Sequence, residues 1–264
     1  MKRLRLLAAA FLPFLLLTGC RQSEPAKMLP PTETVYDCPA LPLEGMSRQE
    51  ISQQYLLCLE DGTQNGYTPV VVYVDPILTE LVDNYFENAG GAAAFRDSVL
   101  AENFDDGAQR LQRLYGELEE LVGPELLSIS ESELEQMLSS LGGAAGQSDF
   151  PRSSFGTPYL LRVPTAHAWE IFAWVPFCGW NSCPEVPDMI AICKYWQEQY
   201  GAVPAVITYD TLSFYLPEPV TDQKTAIALA LEQTAFCDGV FEAGSPVYYA
   251  VTTLNSNYWR FWWD

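Results

Sequence analysis

Three carboxylates in the second half of the chain are the side chains best suited to acid–base chemistry. Glu232 interrupts a stretch rich in alanine and leucine. A helix that is apolar nearly all round is buried, and a carboxylate within it must be paired, hydrogen-bonded or protonated. Asp238 follows it, and Asp264, the last residue of the sequence, would add a main-chain carboxylate. A hydrolase would use these groups as acids and bases, whereas a structural role would pair Glu232 with Arg260 or Lys194.

Aromatic and amide side chains near two predicted strand ends are the candidate ligand contacts. Trp180 and Asn181 lie in a proline-bounded loop between a predicted strand and a predicted helix, and ligands bind at such strand ends in open α/β sheets. A tryptophan plug, with the asparagine bonding the turn backbone, is the structural alternative. Trp262 lies on the last predicted strand, where it could cap a cation together with Asp264.

That last strand, residues 258–263, has two chemically different faces. Because side chains alternate along a strand, its residues divide into one set facing one way, Trp259, Phe261 and Trp263, and a second set facing the other, Tyr258, Arg260 and Trp262. The structural alternative to a binding role is that the strand closes a core.

Other common catalytic arrangements are missing from the sequence. His167 is the only histidine, so a Ser-His-Asp or Cys-His triad would depend on it, and no Gly-x-Ser-x-Gly motif accompanies it. A site with several histidine ligands is excluded, and no glycine-rich phosphate loop is present. We therefore predict no metal and no cofactor, and the sequence leans against an enzyme without deciding the question.

The N-terminus has the three parts of a secretory signal. Basic residues at positions 2, 3 and 5 precede an apolar run at 6–17, which Leu-Thr-Gly-Cys closes at Cys20. The run is about twelve residues, shorter than the ~20 that span a bilayer. The closing tetrapeptide resembles the bacterial lipobox, which implies removal of residues 1–19 and lipidation of Cys20; a secretory cut without lipid is the alternative. Two acyl chains anchor a protein stably, so we expect attachment to the extracytoplasmic side of a cell membrane.

Charge narrows the possible partners. Residues 20–150 hold 23 acidic and 6 basic side chains, and residues 151–264 hold 11 and 5. A body this acidic is repelled by phosphate backbones and by anionic lipid headgroups. Nucleic acid is therefore excluded as a partner, and the body should stand off the membrane, with residues 20–35 as a polar, proline-rich tether. The charge serves solubility or, alternatively, attracts a cationic partner or loosely held metal ions.

Six cysteines remain besides Cys20, and an even number outside the cytoplasm permits disulfides. The pair Cys38–Cys58 is favoured because it is local and separate from the others. A metal site would need the remaining four to converge, and the spacing from Cys178 to Cys183 is not the usual Cys-x-x-Cys. Buried free thiols are the third possibility.

Periodicity and turn signals predict an α/β protein, with α+β as a variant. Residues 36–145 should form an acidic, mainly helical region with one buried strand at 68–74, a β-branched run. A capping box at Ser47 should begin one of its helices, and a turn cluster at 61–66 should follow that helix. A small-residue linker at 146–157 leads to residues 158–264. There, the predicted strands include the apolar run at 169–175, and one predicted helix is capped by Thr221 or Asp222. Alternating strands and helices favour a layered sheet flanked by helices.

Four motifs in the back half occur in one order. They are Phe-Cys-Gly-Trp-Asn-Ser-Cys-Pro at 177–184, Tyr-Trp-x3-Tyr-Gly-Ala at 195–202, Ala-Leu-Ala-Leu-Glu-Gln at 228–233 and Tyr-Trp-Arg-Phe-Trp-Trp-Asp at 258–264. Together they resemble the bacterial domain-of-unknown-function family 4253. The family pattern has Gly-Gly-Trp-Asn-Glu-Cys-Pro in the first motif, where this chain has Cys178 and Ser182 instead of a glycine and the acidic residue. The resemblance implies a fold and its boundaries and supplies no activity.

These observations predict a membrane-tethered exported lipoprotein whose body is a non-catalytic interaction or immunity-type module. A carboxylate-based hydrolase and a small-ligand-binding lipoprotein are the alternatives. The hydrolase requires at least two of the carboxylates to converge in one pocket, whereas the ligand-binding protein requires an apolar cleft with few polar groups. The expected partners are the membrane, through Cys20, and an unknown protein or small molecule.

Overall fold

The computed structural model describes residues 27–141, 149–177 and 180–263. The predictions for Cys20, Cys178 and Asp264 fall outside these ranges. Within them the protein is mixed α/β, which confirms the predicted fold class. No helix in these ranges is both long and apolar enough to cross a bilayer.

A seven-stranded sheet joins the two halves of the described chain. Its strands are β1 (Glu33–Val35), β2 (Cys38–Pro42), β3 (Thr68–Val74), β4 (Thr157–Val163), β5 (Val203–Ile207), β6 (Thr211–Tyr215) and β7 (Tyr258–Trp262). Their order is β1-β2-β4-β3-β5-β6-β7. β3 is parallel to β5, and the other neighbouring pairs are antiparallel. Because β3 lies between two strands of the back half, the predicted linker does not separate two sheets.

Side-chain caps begin several of the helices where the sequence predicts them. The helices are α1 (Arg48–Asn65), α2 (Pro76–Asn88), α3 (Ala92–Leu100), α4 (Gly107–Val122), α5 (Glu131–Ser140), α6 (Val186–Tyr200), α7 (Gln223–Phe236), α8 (Val240–Ala243) and α9 (Val247–Thr253). At α1 the Ser47 hydroxyl accepts from the Glu50 backbone and the Glu50 carboxylate accepts from the Ser47 backbone. Asp222 caps α7 by accepting from the Thr225 backbone at 2.8 Å. Such caps satisfy N–H groups that the helix leaves unpaired.

The sheet separates two apolar cores, one on each of its faces. The first face packs against α2 to α9 and includes Val72 and Phe261. The second face packs against α1 and the segment at Phe150, and includes Val71 and Tyr258. The predicted alternation along β7 is confirmed, because its odd-numbered aromatic residues lie in the first core and Tyr258 in the second.

Two segments differ from the sequence prediction in type or length. The apolar run predicted as a strand at 169–175 is a 3₁₀ helix, Ala168–Ala173, with Ile171, Phe172 and Ala173 all buried. A short continuous apolar run has no period that separates strand from helix. α1 continues into the predicted turn at 61–66 and ends at Asn65; Gly66 is its C-cap, with a left-handed φ of 71° that suits glycine.

The described end of the predicted tether is bound to the body. The Gln54 side chain of α1 accepts from the Leu29 backbone at 2.8 Å and donates to the Lys27 carbonyl at 2.9 Å. Further along, β1 pairs with β2, although the sequence predicted neither strand. Residues 27–35 are therefore held by hydrogen bonds rather than extended away from the fold.

The predicted disulfide between Cys38 and Cys58 is not formed, and both thiols are free. Cys38 is buried in the first core and Cys58, on α1, in the second, so the sheet lies between them. Burial raises the pKa of the Cys38 thiol to about 12 and also raises that of Cys58. No group of three or more His, Cys, Asp or Glu in the described residues is placed to hold a metal ion.

Candidate functional site

Two donors on α6 hold the Glu232 carboxylate, which projects from α7. The Tyr195 hydroxyl donates to Oε1 at 3.0 Å, and Trp196 Nε1 donates to Oε2 at 2.9 Å. Trp196 is itself fully buried and stacks on Phe261 of β7, with ring centroids 5.5 Å apart and an angle of 12° between the rings. The core aromatics thus fix the donor that orients the carboxylate.

Glu232 opens into a cavity of about 330 Å³ between α4, α6 and α7, called here the Glu232 cleft. Its walls are mostly apolar, with Leu111 from α4 and Leu231 from α7 among them. Gln109 and Gln112 add amide groups on the α4 side. An apolar cleft with a few placed polar groups is the usual form of a small-molecule site.

The environment disfavours the charged form of this carboxylate. Burial raises the pKa of Glu232, and the hydrogen bonds from Trp196 and Tyr195 oppose that rise. In turn, burial and the nearby Glu232 raise the pKa of the Tyr195 phenol to about 12. Neither predicted cationic partner is present, because Lys194 pairs with Asp105 and Arg260 lies on the second face.

The other predicted residues of the back half hold a turn together. Trp180 Nε1 donates to the Phe177 carbonyl at 3.2 Å, and Asn181 takes a left-handed φ of 49°. The Ser182 hydroxyl donates to Asp238. Asp238 therefore has its own partner, away from the donors of Glu232, and the described residues lining the Glu232 cleft include no second carboxylate.

His167, the only histidine, has a structural contact. Its ring stacks on Trp169 with centroids 4.6 Å apart and an angle of 18° between the rings. Among the described residues it makes no side-chain hydrogen bond that would activate a nucleophile. The geometry supplies no triad around it.

A second cavity, of about 310 Å³, lies on the second face of the sheet; we call it the arginine pocket. Arg48 from the start of α1, Arg152 from the segment before β4 and Arg260 from β7 line it. Trp262, predicted from the sequence as a ligand contact, is also in its lining. The pocket is the place where the second face lacks a covering helix.

A turn between β5 and β6 fixes the Trp262 indole. Asp210 Oδ2 accepts from Trp262 Nε1 at 3.0 Å. Asp210 Oδ1 accepts from the hydroxyls of Thr208 at 2.7 Å and Thr211 at 3.1 Å. Thr211 also lies opposite Trp262 in the β6–β7 register. Both oxygens of Asp210 are thus engaged by internal donors.

Glu232 and Trp262 were predicted from the sequence, and both line a cavity, whereas the groups around them were not predicted. Tyr195 begins one of the four motifs and Glu232 lies in the next. Their presence in the same set of motifs could have indicated that the two residues are in contact. Arg48, Arg152 and Ser213 of the arginine pocket are far apart in sequence, and tertiary packing brings them to the same cavity. Nothing in their local sequence points to the pocket.

Comparison with known proteins gives a family match for the back half of the chain alone. Residues 159–264 match the model of a family described as a domain of unknown function, DUF4253. This match confirms the resemblance drawn from the four motifs and covers Glu232, Tyr195 and Trp262. It leaves out α4, which forms one wall of the Glu232 cleft, and β3, which lies within the same sheet. No curated protein and no solved structure gives a significant match.

Proposed function

We propose that the protein is an exported lipoprotein, held at the extracytoplasmic side of a membrane through Cys20, whose body binds a small ligand without transforming it. One observation carries the ligand-binding part. A half-buried carboxylate, Glu232, lies in a largely apolar cleft without a cationic partner among the described residues. Of the three functions that the sequence leaves open, the small-ligand-binding lipoprotein fits this geometry best.

The cleft's chemistry suggests the class of ligand. Its volume of about 330 Å³ is at the lower end of the range for ligand pockets. A carboxylate can accept about four hydrogen bonds, and the two donors from α6 leave capacity for a ligand. A small molecule with an apolar body and an ammonium or amide donor would complete the site.

The arrangement supports binding more than hydrolysis. A carboxylate-based hydrolase needs a second acid–base group within reach of the same bond. Asp238 accepts a hydrogen bond from Ser182 instead. Among the described residues that line the cleft, Glu232 is the one carboxylate. An interaction or immunity-type role rests on the predicted lipid anchor, the acidic body and the lack of a nucleophile motif, whereas the cleft gives ligand binding a defined location.

Titration with benzylamine tests the ligand site in the purified full chain. We expect benzylamine to raise the melting temperature, and Glu232→Gln to weaken its binding by at least about tenfold, because an ion pair becomes a neutral contact. The matched control is Glu198→Gln, an exposed glutamate on α6 outside the cleft lining, which should bind normally. Equal binding by Glu232→Gln and the unmodified protein would refute the site.

Metabolic labelling with radioactive palmitate tests the membrane anchor separately. We expect the full chain to incorporate label and to sediment with membranes, and Cys20→Ser to lose both properties because no thiol remains at the lipobox position. The same substitution at buried Cys58 leaves the lipobox intact and serves as the control. Persistent labelling of Cys20→Ser would contradict the proposal.

A further inference from the structure

We propose that the arginine pocket is a second binding site, which takes the oxyanion group of a small soluble molecule, a phosphate ester or a carboxylate. It lies on the second face of the sheet and shares none of its lining residues with the Glu232 cleft. The inference goes beyond the proposed function, because it concerns another site and a ligand of opposite charge.

Charge is the first observation. The chain has a formal net charge of −20, yet three arginines line this one cavity. Arg152 and Arg260 are exposed and form no ion pair with a described residue, while Arg48 pairs with Asp149 at 2.8 Å. Because arginine presents a planar fork of donors, such a group of side chains suits carboxylate or phosphate oxygens.

A buried hydroxyl in the lining is the second, independent observation. Ser213 is fully buried, and its Oγ has no hydrogen-bond partner among the described residues. It lies directly opposite Arg260 in the β6–β7 register, so both side chains project from the second face into the same cavity. A buried hydroxyl without a partner is costly, and an oxyanion held by Arg260 would accept its hydrogen.

Among the residues that the structure describes, the carboxylates nearest the pocket are already engaged. Asp210 accepts from two threonine hydroxyls and from Trp262. Asp149 pairs with Arg48 at the rim, where its own side chain is largely exposed. These contacts leave the guanidinium groups of Arg152 and Arg260 available for an incoming anion.

Two aromatic side chains suggest which anions to use as probes. Trp262 lines the pocket with its indole fixed by Asp210, and Phe155 lines it from the segment before β4 with 69% of its surface exposed. A planar ring beside the oxyanion would cover both. Phenyl phosphate and benzoate each combine such a ring with one kind of oxyanion, and phenol supplies the ring without the charge.

The experiment is a thermal-shift and calorimetric titration of the full chain with these three compounds. We expect at least one of the two anions, at up to about 10 mM, to raise the melting temperature, and phenol to have no such effect. Stabilisation by phenyl phosphate alone identifies the ligand group as a phosphate, and stabilisation by benzoate alone identifies it as a carboxylate. No stabilisation by either anion overturns the proposal.

Variants place the binding within the pocket. Arg260→Gln should weaken binding of the effective anion by at least about tenfold. Lys224→Gln removes an equal charge from an exposed position on α7 and should bind normally. Equal binding by Arg260→Gln and Lys224→Gln would refute the assignment to this pocket. Glu232→Gln should leave anion binding unchanged, which separates a failure of this proposal from a failure of the Glu232 cleft.

Ser213→Ala separates a binding role from a merely structural one. Without ligand, the variant should be at least as stable as the unmodified protein, because no partnered hydroxyl is lost. It should nevertheless bind the anion about two- to tenfold more weakly, since one donor to the oxyanion is gone. Unchanged affinity in Ser213→Ala would contradict the role assigned to this hydroxyl.

Discussion

The two faces of the sheet leave cavities of nearly equal size and opposite chemistry. On the first face, helices cover the sheet, and the cavity lies between helices around Glu232, whose two oxygens each accept a bond. On the second face, three arginines line the cavity together with Ser213, whose hydroxyl has no partner among the described residues. Volumes of about 330 and 310 Å³ do not distinguish the two sites; the charge and hydrogen bonding of their side chains do.

The largest expected effect concerns the close helix packing that forms the Glu232 cleft. A Cβ at Gly107 of α4 would lie 2.2 Å from the Ala191 carbonyl oxygen of α6, whereas a Cβ at Gly116 of the same helix would meet nothing within 4 Å. Gly107→Ala should therefore lower the free energy of unfolding by about 1–3 kcal/mol or more. Gly116→Ala should raise it by about 0.4–1 kcal/mol. Urea denaturation measures both.

This glycine pair also tests whether the two faces are independent. Under native conditions, Gly107→Ala should lose affinity for benzylamine, because one wall of the Glu232 cleft moves. Its affinity for phenyl phosphate or benzoate in the arginine pocket should be retained. If Gly107→Ala and Gly116→Ala prove equally stable, α4 and α6 are not packed as described.

A smaller effect should appear as opposite pH dependence at two glutamates. Burial raises the pKa of Glu232, on a first-face helix, above the ordinary 4.5, whereas hydrogen bonds from Ser47 lower the pKa of Glu50, on α1. The folded protein thus holds the Glu232 proton more tightly than the unfolded chain, and the Glu50 proton less tightly. By linkage, Glu232 costs stability as pH rises from 4.5 through its raised pKa, whereas the contribution of Glu50 is lost as pH falls through its lowered pKa.

Replacing each glutamate with glutamine gives the measurement. From about pH 3 to pH 8, the stability of Glu232→Gln relative to the unmodified protein should rise with pH, and that of Glu50→Gln should fall. Glutamine can keep the capping box at Ser47, so the second variant loses mainly charge. Slopes of the same sign in the two variants would contradict the environments described for these carboxylates.

The sequence predicts local structure better than it predicts either site. β3 was predicted with its observed bounds because a β-branched run has a clear signature, and the caps at Ser47 and Asp222 rest on neighbouring residues. Glu232 was identified because a carboxylate in an apolar helix requires partners. Those partners, on α6, follow from tertiary packing, which no local pattern specifies.

The place of β3 in the sheet depends on strand pairing, which composition does not predict. Composition changes sharply near residue 150, from strongly acidic to aromatic-rich. Strand pairing ignores that change, and β3 lies between β4 and β5. The arginine pocket depends on the same long-range pairing, because the register places Ser213 opposite Arg260. Composition reports the surface and core content of each segment, and it carries no information on which strands become neighbours.

The smallest expected effect is that of a reductant on the two cysteines that the sequence favoured as a pair. Cys38 and Cys58 lie in the cores of opposite faces, so reductant should leave this pair unchanged, whereas breaking a disulfide there would cost about 3 kcal/mol. Because burial raises the pKa of both thiols, neither should react with a thiol reagent until the protein unfolds. Mass spectrometry after unfolding and alkylation without reductant should find both cysteines labelled. A peptide linking Cys38 to Cys58 would mean that the sheet does not separate them, and the contrast between the two faces would fail at β2 and α1.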